Sequence, residues 1–152
     1  MEEILDACCG GKKFWFDKSN EHALFVDIRE ETHDLGNGSK VVVKPDMIAD
    51  FRQLPFEDES FYHVVFDPPH LRWAGSNSYM AVSYGRLSKS WKDDLKRGFD
   101  ECMRVLKPKG TLVFKWSEKD IKLSTILRLF DTQPLYGNRT SKNTVWMVFM
   151  KF

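Results

Sequence analysis

Only three cysteines occur in 152 residues, Cys8, Cys9 and Cys102, and two of them are adjacent. An odd count with a neighbouring pair is not a disulfide framework and fits a reducing compartment. No Cys/His set has the spacing of zinc ligands, so no structural metal is expected. No apolar run approaches the roughly 20 residues that cross a bilayer. The opening residues, Met1 to Asp6, are acidic and lead straight into an apolar stretch, unlike the basic start of a signal peptide. A cytoplasmic location without a membrane partner is therefore expected. Neither sign of charge dominates: 23 Lys and Arg against 22 Asp and Glu leave a net charge of +1. Bulk electrostatics thus give no reason for nucleic-acid binding, and any such site must be a local patch. Repeats and low-complexity tracts are lacking too.

The length suits a single domain over residues 1–152, large enough to bury a real core. Short apolar runs punctuate it. Ile4 to Cys8 reads as a buried strand stopping at Gly10-Gly11, and Lys12 to Asp17 has room for one or two helical turns. Ala23 to Ile28, Met47 to Asp50 and Tyr62 to Phe66 read as further strands. Gly36 to Ser39 is a turn, and Lys40 to Pro45 an irregular β segment. Leu71 to Ser90 is polar and aromatic and reads as a long loop, a length that is usually functional or disordered. A helix capped by Ser90 follows, with Leu95, Phe99, Met103 and Leu106 at helical spacing and Lys107 to Gly110 ending it. Thr111 to Trp116 is a strand, Asp120 to Phe130 a helix, and Val145 to Phe149 a last strand. Strands alternating with helices imply a mostly parallel α/β sheet covered on both faces. Ligands of such sheets bind beyond the carboxyl ends of the strands. Asp6, Asp27, Asp50 and Asp67 all fall at strand ends and should converge there.

Each acid has a specific chemical use. The glycines after Asp6 let backbone approach a ligand, or simply make a strand-ending turn. Asp27 can accept hydrogen bonds from both hydroxyls of a ribose. Asp50 beside Phe51 suits an adenine, with an acceptor for its amine and a ring face for packing. Any one of these acids alone reads equally well as a solvated strand end. Asp67-Pro68-Pro69-His70 is the sharpest motif. Two prolines after a buried strand freeze an extended turn and leave carbonyls as their only backbone polar groups. A planar amine placed there meets two acceptors, the Asp67 carboxylate and the Pro68 carbonyl. Those acceptors would localise the nitrogen lone pair, and the acid could take up the proton released. The His70 ring could stack on the same plane. A rigid turn with a surface histidine is the alternative.

These motifs resemble the Rossmann-like class I S-adenosylmethionine-dependent methyltransferases, especially the branch that methylates amino groups through an Asp-Pro-Pro-Tyr-type motif. The resemblance covers nearly the whole chain. It runs through the cofactor loop Asp6-Ala7-Cys8-Cys9-Gly10, through Val26-Asp27-Ile28 and Asp50-Phe51, and through Leu54 to Phe61, the lead into the fourth strand. Val65 to His70 is similar to the catalytic motif, and Arg104 to Leu112 to the entry of the fifth strand. It is closest in kind to short single-domain methyltransferases of bacterial and prophage genomes. The resemblance implies a seven-stranded sheet with helices on both faces and an antiparallel last strand, formed by Val145 to Phe149. It implies S-adenosylmethionine as cofactor, held by Asp6, Ala7, Cys8, Gly10, Asp27, Ile28, Asp50 and Phe51. Asp67, Pro68, Pro69 and His70 would be the catalytic group. Three departures stand out: Lys12 replaces the usual second glycine, His70 replaces an aromatic, and no separate target-recognition domain is present.

Specificity then falls to the segment after His70. Arg72, Trp73, Tyr84, Arg86, Lys89 and Trp91 interleave cations with aromatics, a pattern that neutralises phosphates and stacks bases. The same residues would also serve as a lid over about 71–90. The expected activity is methyl transfer to an exocyclic amine of a base in DNA or RNA, by a monomer or homodimer. Single-stranded or opened nucleic acid fits best, because a small chain has little surface to offset base flipping. A protein amide or a small molecule is the alternative acceptor. A non-catalytic binding module on the same fold is a third reading.

Overall fold

A computed structural model describes residues 2–71 and 86–152. The acidic start leads into β1 (Ile4–Asp6), with β2 (Ala23–Asp27) parallel beside it. An antiparallel hairpin follows, β3 (Glu31–Asp34) and β4 (Lys40–Val43). Then come β5 (Met47–Ile48), β6 (Phe61–Phe66), α1 (Trp91–Val105), β7 (Leu106–Ser117), α2 (Leu123–Leu127), β8 (Tyr136–Arg139) and β9 (Thr144–Met150). The main sheet has seven strands in the order β5-β2-β1-β6-β7-β9-β8. Strands β5, β2, β1, β6 and β7 run parallel, and β9 is antiparallel to both β7 and β8. This is the mostly parallel, Rossmann-like sheet expected from the sequence, with its last strand reversed. The chain leaves β1 toward β2 and β5, then crosses back to β6, so the switch in strand order lies between β1 and β6.

The core lies where helices meet this sheet. Leu5, Val26, Val64, Phe66, Leu112, Phe114, Trp116, Met147 and Phe149 belong to one cluster with Leu95, Phe99 and Cys102 of α1 and Ile126 of α2. Phe99 stacks on Phe130 with centroids 4.0 Å apart and planes 9° off parallel, which fixes α1 against the segment after α2. The buried stripe of α1 is Trp91, Leu95, Gly98, Phe99, Cys102 and Val105, one face of a 3.6-residue period. A second, smaller cluster contains Cys9, Ala23 and Phe25, with Ile4 and Trp15 packed against it. The helical cover expected beside it is, among the described residues, a run of turns.

Several boundaries differ from expectation for local reasons. Lys12 to Asp17 makes turns, not a helix: Lys12 sits at φ 55, and Trp15 N–H donates to the Lys12 carbonyl three residues back. Ser90 precedes α1 but makes no side-chain cap; its hydroxyl donates to Asp94 Oδ2 at 2.9 Å. Asp93 and Asp94 place negative charge on the first turn in its stead. The helix ends at Val105, ahead of Lys107, because β7 begins at once. The Lys151 ammonium caps that end through the carbonyls of Met103 and Leu106, at 3.0 and 2.7 Å. The helix expected over Asp120 to Phe130 shrinks to α2, with three-residue turns continuing to Phe130. Strands β3 and β8 were not anticipated. Glu31–Asp34 is polar and Tyr136–Arg139 is exposed at all four positions, so neither carries an apolar period.

Gly98 faces a tight spot. A Cβ there would lie 2.5 Å from Phe51 Cδ1 and 2.8 Å from Phe66 Cζ. Gly98→Ala is expected to lose about 1–3 kcal/mol through overpacking, despite the roughly 1 kcal/mol that alanine gains in helix propensity. Urea melts check this, and adding Phe51→Leu should recover part of the loss.

Candidate active site

The carboxyl ends of the parallel strands open into a cavity of about 300 Å³. Its floor is the loop after β1. The N–H of Ala7 donates to the Val65 carbonyl at 3.0 Å and that of Cys9 to the Val26 carbonyl at 2.8 Å. The loop is thus tied to both neighbouring strands before it turns at Gly10, φ 50. Ala7, Cys8, Gly10 and Gly11 line the cavity. Lys12, in the place of the usual second glycine, takes the left-handed conformation that a glycine would take.

Asp27 lines the cavity at the end of β2, with 6% of its surface exposed. Gly10 N–H donates to its Oδ2 at 2.8 Å and Arg29 N–H to its Oδ1 at 2.9 Å. A carboxylate has about four lone-pair sites. Two backbone N–H bonds, with the Arg29 Nε 3.6 Å from Oδ1, therefore orient the group, and lone-pair sites remain. Ile28, 61% exposed, and Phe51 also line the cavity and give it two apolar surfaces. Asp50 also lines the cavity, but its carboxylate is occupied. Arg52 donates to it from Nε at 3.0 Å and from Nη2 at 2.6 Å, and reaches Asp94 of α1 at 3.1 Å. These bonds hold Asp50 below the usual carboxylate range.

Asp67 stands at the end of β6, with Pro69 beside it in the lining. Lys115, from β7 next door, brings its Nζ to 3.5 Å from Asp67 Oδ2. Burial pushes the Asp67 carboxyl up to about 6, and the Lys115 charge pulls it back down. Arg86 is the one member of the basic-aromatic set, among the described residues, that lines the cavity.

Other expected site residues lie elsewhere. Asp6 is fully buried under the loop and does not line the cavity. The Trp15 indole N–H donates to its Oδ2 at 2.7 Å, so it braces the loop and is not positioned to touch a cofactor. Pro68 is buried, and only Pro69 of the pair reaches the cavity. His70 is 9% exposed and packs edge-on to Trp116 at 6.2 Å, outside the lining, which removes the stacking role expected for it. Burial lowers its ring to about 4, so it is neutral at physiological pH. Trp91 is 8% exposed and belongs to the core, not to a base-stacking surface, because the apolar stripe of α1 begins with it. Lys89 is exposed outside the cavity. Arg72, Trp73 and Tyr84 lie outside the described residues.

Phe14, Arg52 and Lys115 are site residues that the sequence reading missed. Lys115 did carry a signal, a charge at an alternate position of the otherwise apolar run Val113 to Trp116. Phe14 carried none, since nothing local tells an aromatic beside a ligand from one in the core. Among the described residues no three His, Cys, Asp or Glu side chains cluster to hold a metal, and no helix is long and apolar enough to cross a membrane.

No family model matches the chain, and no curated protein matches it in sequence. Solved structures do match in fold. A protein from Pyrococcus horikoshii OT3 aligns over 98% of this chain and 81% of its own, at 18% identity and a TM-score of 0.64. A SAM-dependent methyltransferase from Methanosarcina mazei aligns over 100% and 94%, at 15% identity and 0.58. The Burkholderia thailandensis 1,6-didemethyltoxoflavin-N1-methyltransferase, solved with 1,6-didemethyltoxoflavin and S-adenosylhomocysteine, aligns over 97% and 70%, at 14% identity and 0.54. The fold is that of S-adenosylmethionine-dependent methyltransferases.

Burial pushes the Asp6 carboxyl up to about 7 from an ordinary 3.8. An acid whose folded pKa is raised weakens the fold as soon as the unfolded chain ionises and the native one does not. Wild type should therefore lose stability relative to Asp6→Asn as pH rises from 3.8 to about 7, with a constant gap beyond. Denaturant melts of both proteins across that range check the sign.

Proposed function

We propose that this protein is an S-adenosylmethionine-dependent methyltransferase that methylates an exocyclic amino nitrogen of a base in DNA or RNA. The observation that carries this reading is that Asp27, set for two hydroxyls, and Asp67, set for an amine, line one cavity at the switch point. The residues fit the cofactor. Gly10 and Asp27 form a backbone-and-carboxylate cradle suited to a ribose, and Ile28 and Phe51 offer apolar faces to an adenine. Asp50 supports that side indirectly, by holding Arg52 against α1.

The cofactor, when bound, supplies a methyl group activated by its sulfonium charge. Asp67 accepts an N–H of the incoming amine and draws its lone pair out of conjugation. An amine that gains the methyl group sheds a proton, and the Asp67 carboxylate would receive it. The rigid Pro68-Pro69 turn holds that carboxylate still, and alignment of this kind supplies roughly 7–11 kcal/mol. Arg86 at the rim favours a phosphate-bearing acceptor.

A small planar heteroaromatic is the second reading. It is favoured by the compact cavity and by the fold likeness to the toxoflavin N1-methyltransferase.

Two variants separate cofactor from acceptor. Asp27→Ala should weaken S-adenosylhomocysteine binding about tenfold or more by calorimetry. Asp67→Ala should leave that binding intact and reduce labelled methyl transfer to single-stranded DNA or RNA by about 100-fold or more. Unchanged turnover in Asp67→Ala sinks the assignment, and transfer to a free heteroaromatic but to no oligonucleotide selects the second reading. Because Asp67 must be ionised to take up the proton of the amine, turnover should fall as pH drops through about 6.

A further inference from the structure

Asp67 is not alone at the acceptor end of the cavity. Lys115 and Phe14 line it too, and they come from two separate parts of the chain. Lys115 lies on β7, opposite Trp146 of β9. Its ammonium sits 5.4 Å from the Phe14 ring centroid and 5.5 Å from that of Trp146. The two rings meet edge to face at 5.2 Å. Lysine is ordinarily a flexible point charge. Here two aromatic faces confine it, and its Nζ stands 3.5 Å from Asp67 Oδ2 with only 23% of its side chain exposed. The cavity therefore presents a fixed hydrogen-bond donor beside a fixed acceptor, with an aromatic ring at their side.

We infer that Lys115 and Asp67 read two neighbouring atoms of the acceptor, Asp67 taking the N–H of its amine and Lys115 donating to an unprotonated nitrogen beside it, while Phe14 packs on its plane. This rests on the reading that Asp67 meets the acceptor amine, and it narrows the substrate class. Adenine and cytosine carry an amine next to a ring nitrogen acceptor, and guanine does so through N3. Thymine and uracil carry no amine. A side-chain amide offers a donor and an acceptor but no ring for Phe14 to cover. An ammonium has three donors in a rotatable group, so donation to Asp67 and to a bound base are compatible. Discrimination arises because a base lacking the ring acceptor forgoes the charge-assisted bond from Lys115.

The test uses the full chain and single-stranded oligodeoxynucleotides with one adenine, one cytosine or one guanine in a thymine background. Matched strands carry 1-deazaadenine, 3-deazacytosine or 3-deazaguanine, which keep the amine and replace the ring acceptor with C–H. Wild type should lose about tenfold in kcat/KM on the deaza strand of its preferred base, the size expected for one lost hydrogen bond to a charged donor. Lys115→Met should lose a similar factor on the natural base and nothing further on the deaza base. Lys115→Gln, which keeps an N–H donor without the charge, should restore part of the discrimination. S-adenosylhomocysteine titration of each variant reports whether the cofactor half of the site has stayed intact. A deaza penalty that is absent in wild type, or equal in wild type and Lys115→Met, overturns the inference while leaving the amino-methyltransferase reading in place. Wild type that binds S-adenosylhomocysteine yet methylates no strand defeats the nucleic-acid reading, and this inference with it.

Discussion

The site depends on how β1 is held between β2 and β6. Its three residues pair in parallel with both neighbours, Leu5 opposite Leu24 on one side and Val64 on the other. The strand is too short to define an edge by itself. The loop beyond it extends both ladders by one bond each, from Ala7 to Val65 and from Cys9 to Val26. Gly10 then turns back so that its N–H meets Asp27. One backbone path thus joins the end of β1 to the carboxylate of β2 and runs beside the end of β6, where Asp67 stands. Parallel strands place their carboxyl ends on one edge, and a switch in strand order opens a gap there. Every proposed role derives from that gap.

The side of the cavity facing α1 is fixed by a different device. Arg52 bridges Asp50 and Asp94, tying the segment after β5 to the first turn of the helix. Phe51, between Asp50 and Arg52, rests on Gly98, where no side chain intervenes, and meets Phe66 edge to face at 5.2 Å. Farther along the helix, Arg104 donates to the carbonyls of Leu54 and Phe56 and pairs with Glu101 and Asp58. These anchors pin the non-helical stretch that leads into β6. Exposed ion pairs contribute little stability by themselves. Here their effect is positional, since charge-assisted bonds to backbone carbonyls hold a segment that has no ladder of its own.

The carboxylates at the strand ends look alike in sequence and differ in surroundings. Asp6 is wholly enclosed and carries a raised pKa; it answers an indole N–H and the loop. Asp27 is bound by two backbone N–H groups, lies 3.6 Å from the Arg29 guanidinium and still lines the cavity. Asp50 is neutralised by a guanidinium. Asp67 is partly buried beside an ammonium that two aromatic rings confine. Two of the environments brace and anchor, those of Asp6 and Asp50, and the other two leave Asp27 and Asp67 on the cavity for the hydroxyl and amine roles proposed for them.

Sequence alone determined the alternation of short apolar strands with an amphipathic helix, and hence the parallel sheet and the edge where the acids gather; the reversed last strand followed only from the family resemblance. Apolar periodicity and turn residues are local signals, and they placed Asp27, Phe51 and Asp67 on the cavity before any coordinates. Only the tertiary structure decided which strand-end residues face that cavity. Asp6 and His70 carry the right chemistry at the right positions, yet both are enclosed, Asp6 under its own loop and His70 against Trp116. Phe14 and Lys115 carry weak or no local signals, yet they stand at the acceptor end because β7 lies beside β6 and a turn brings Phe14 across. Burial and the meeting of residues 48 positions apart, as Asp67 and Lys115 are, are set by sheet order and packing, which no local pattern of residues encodes.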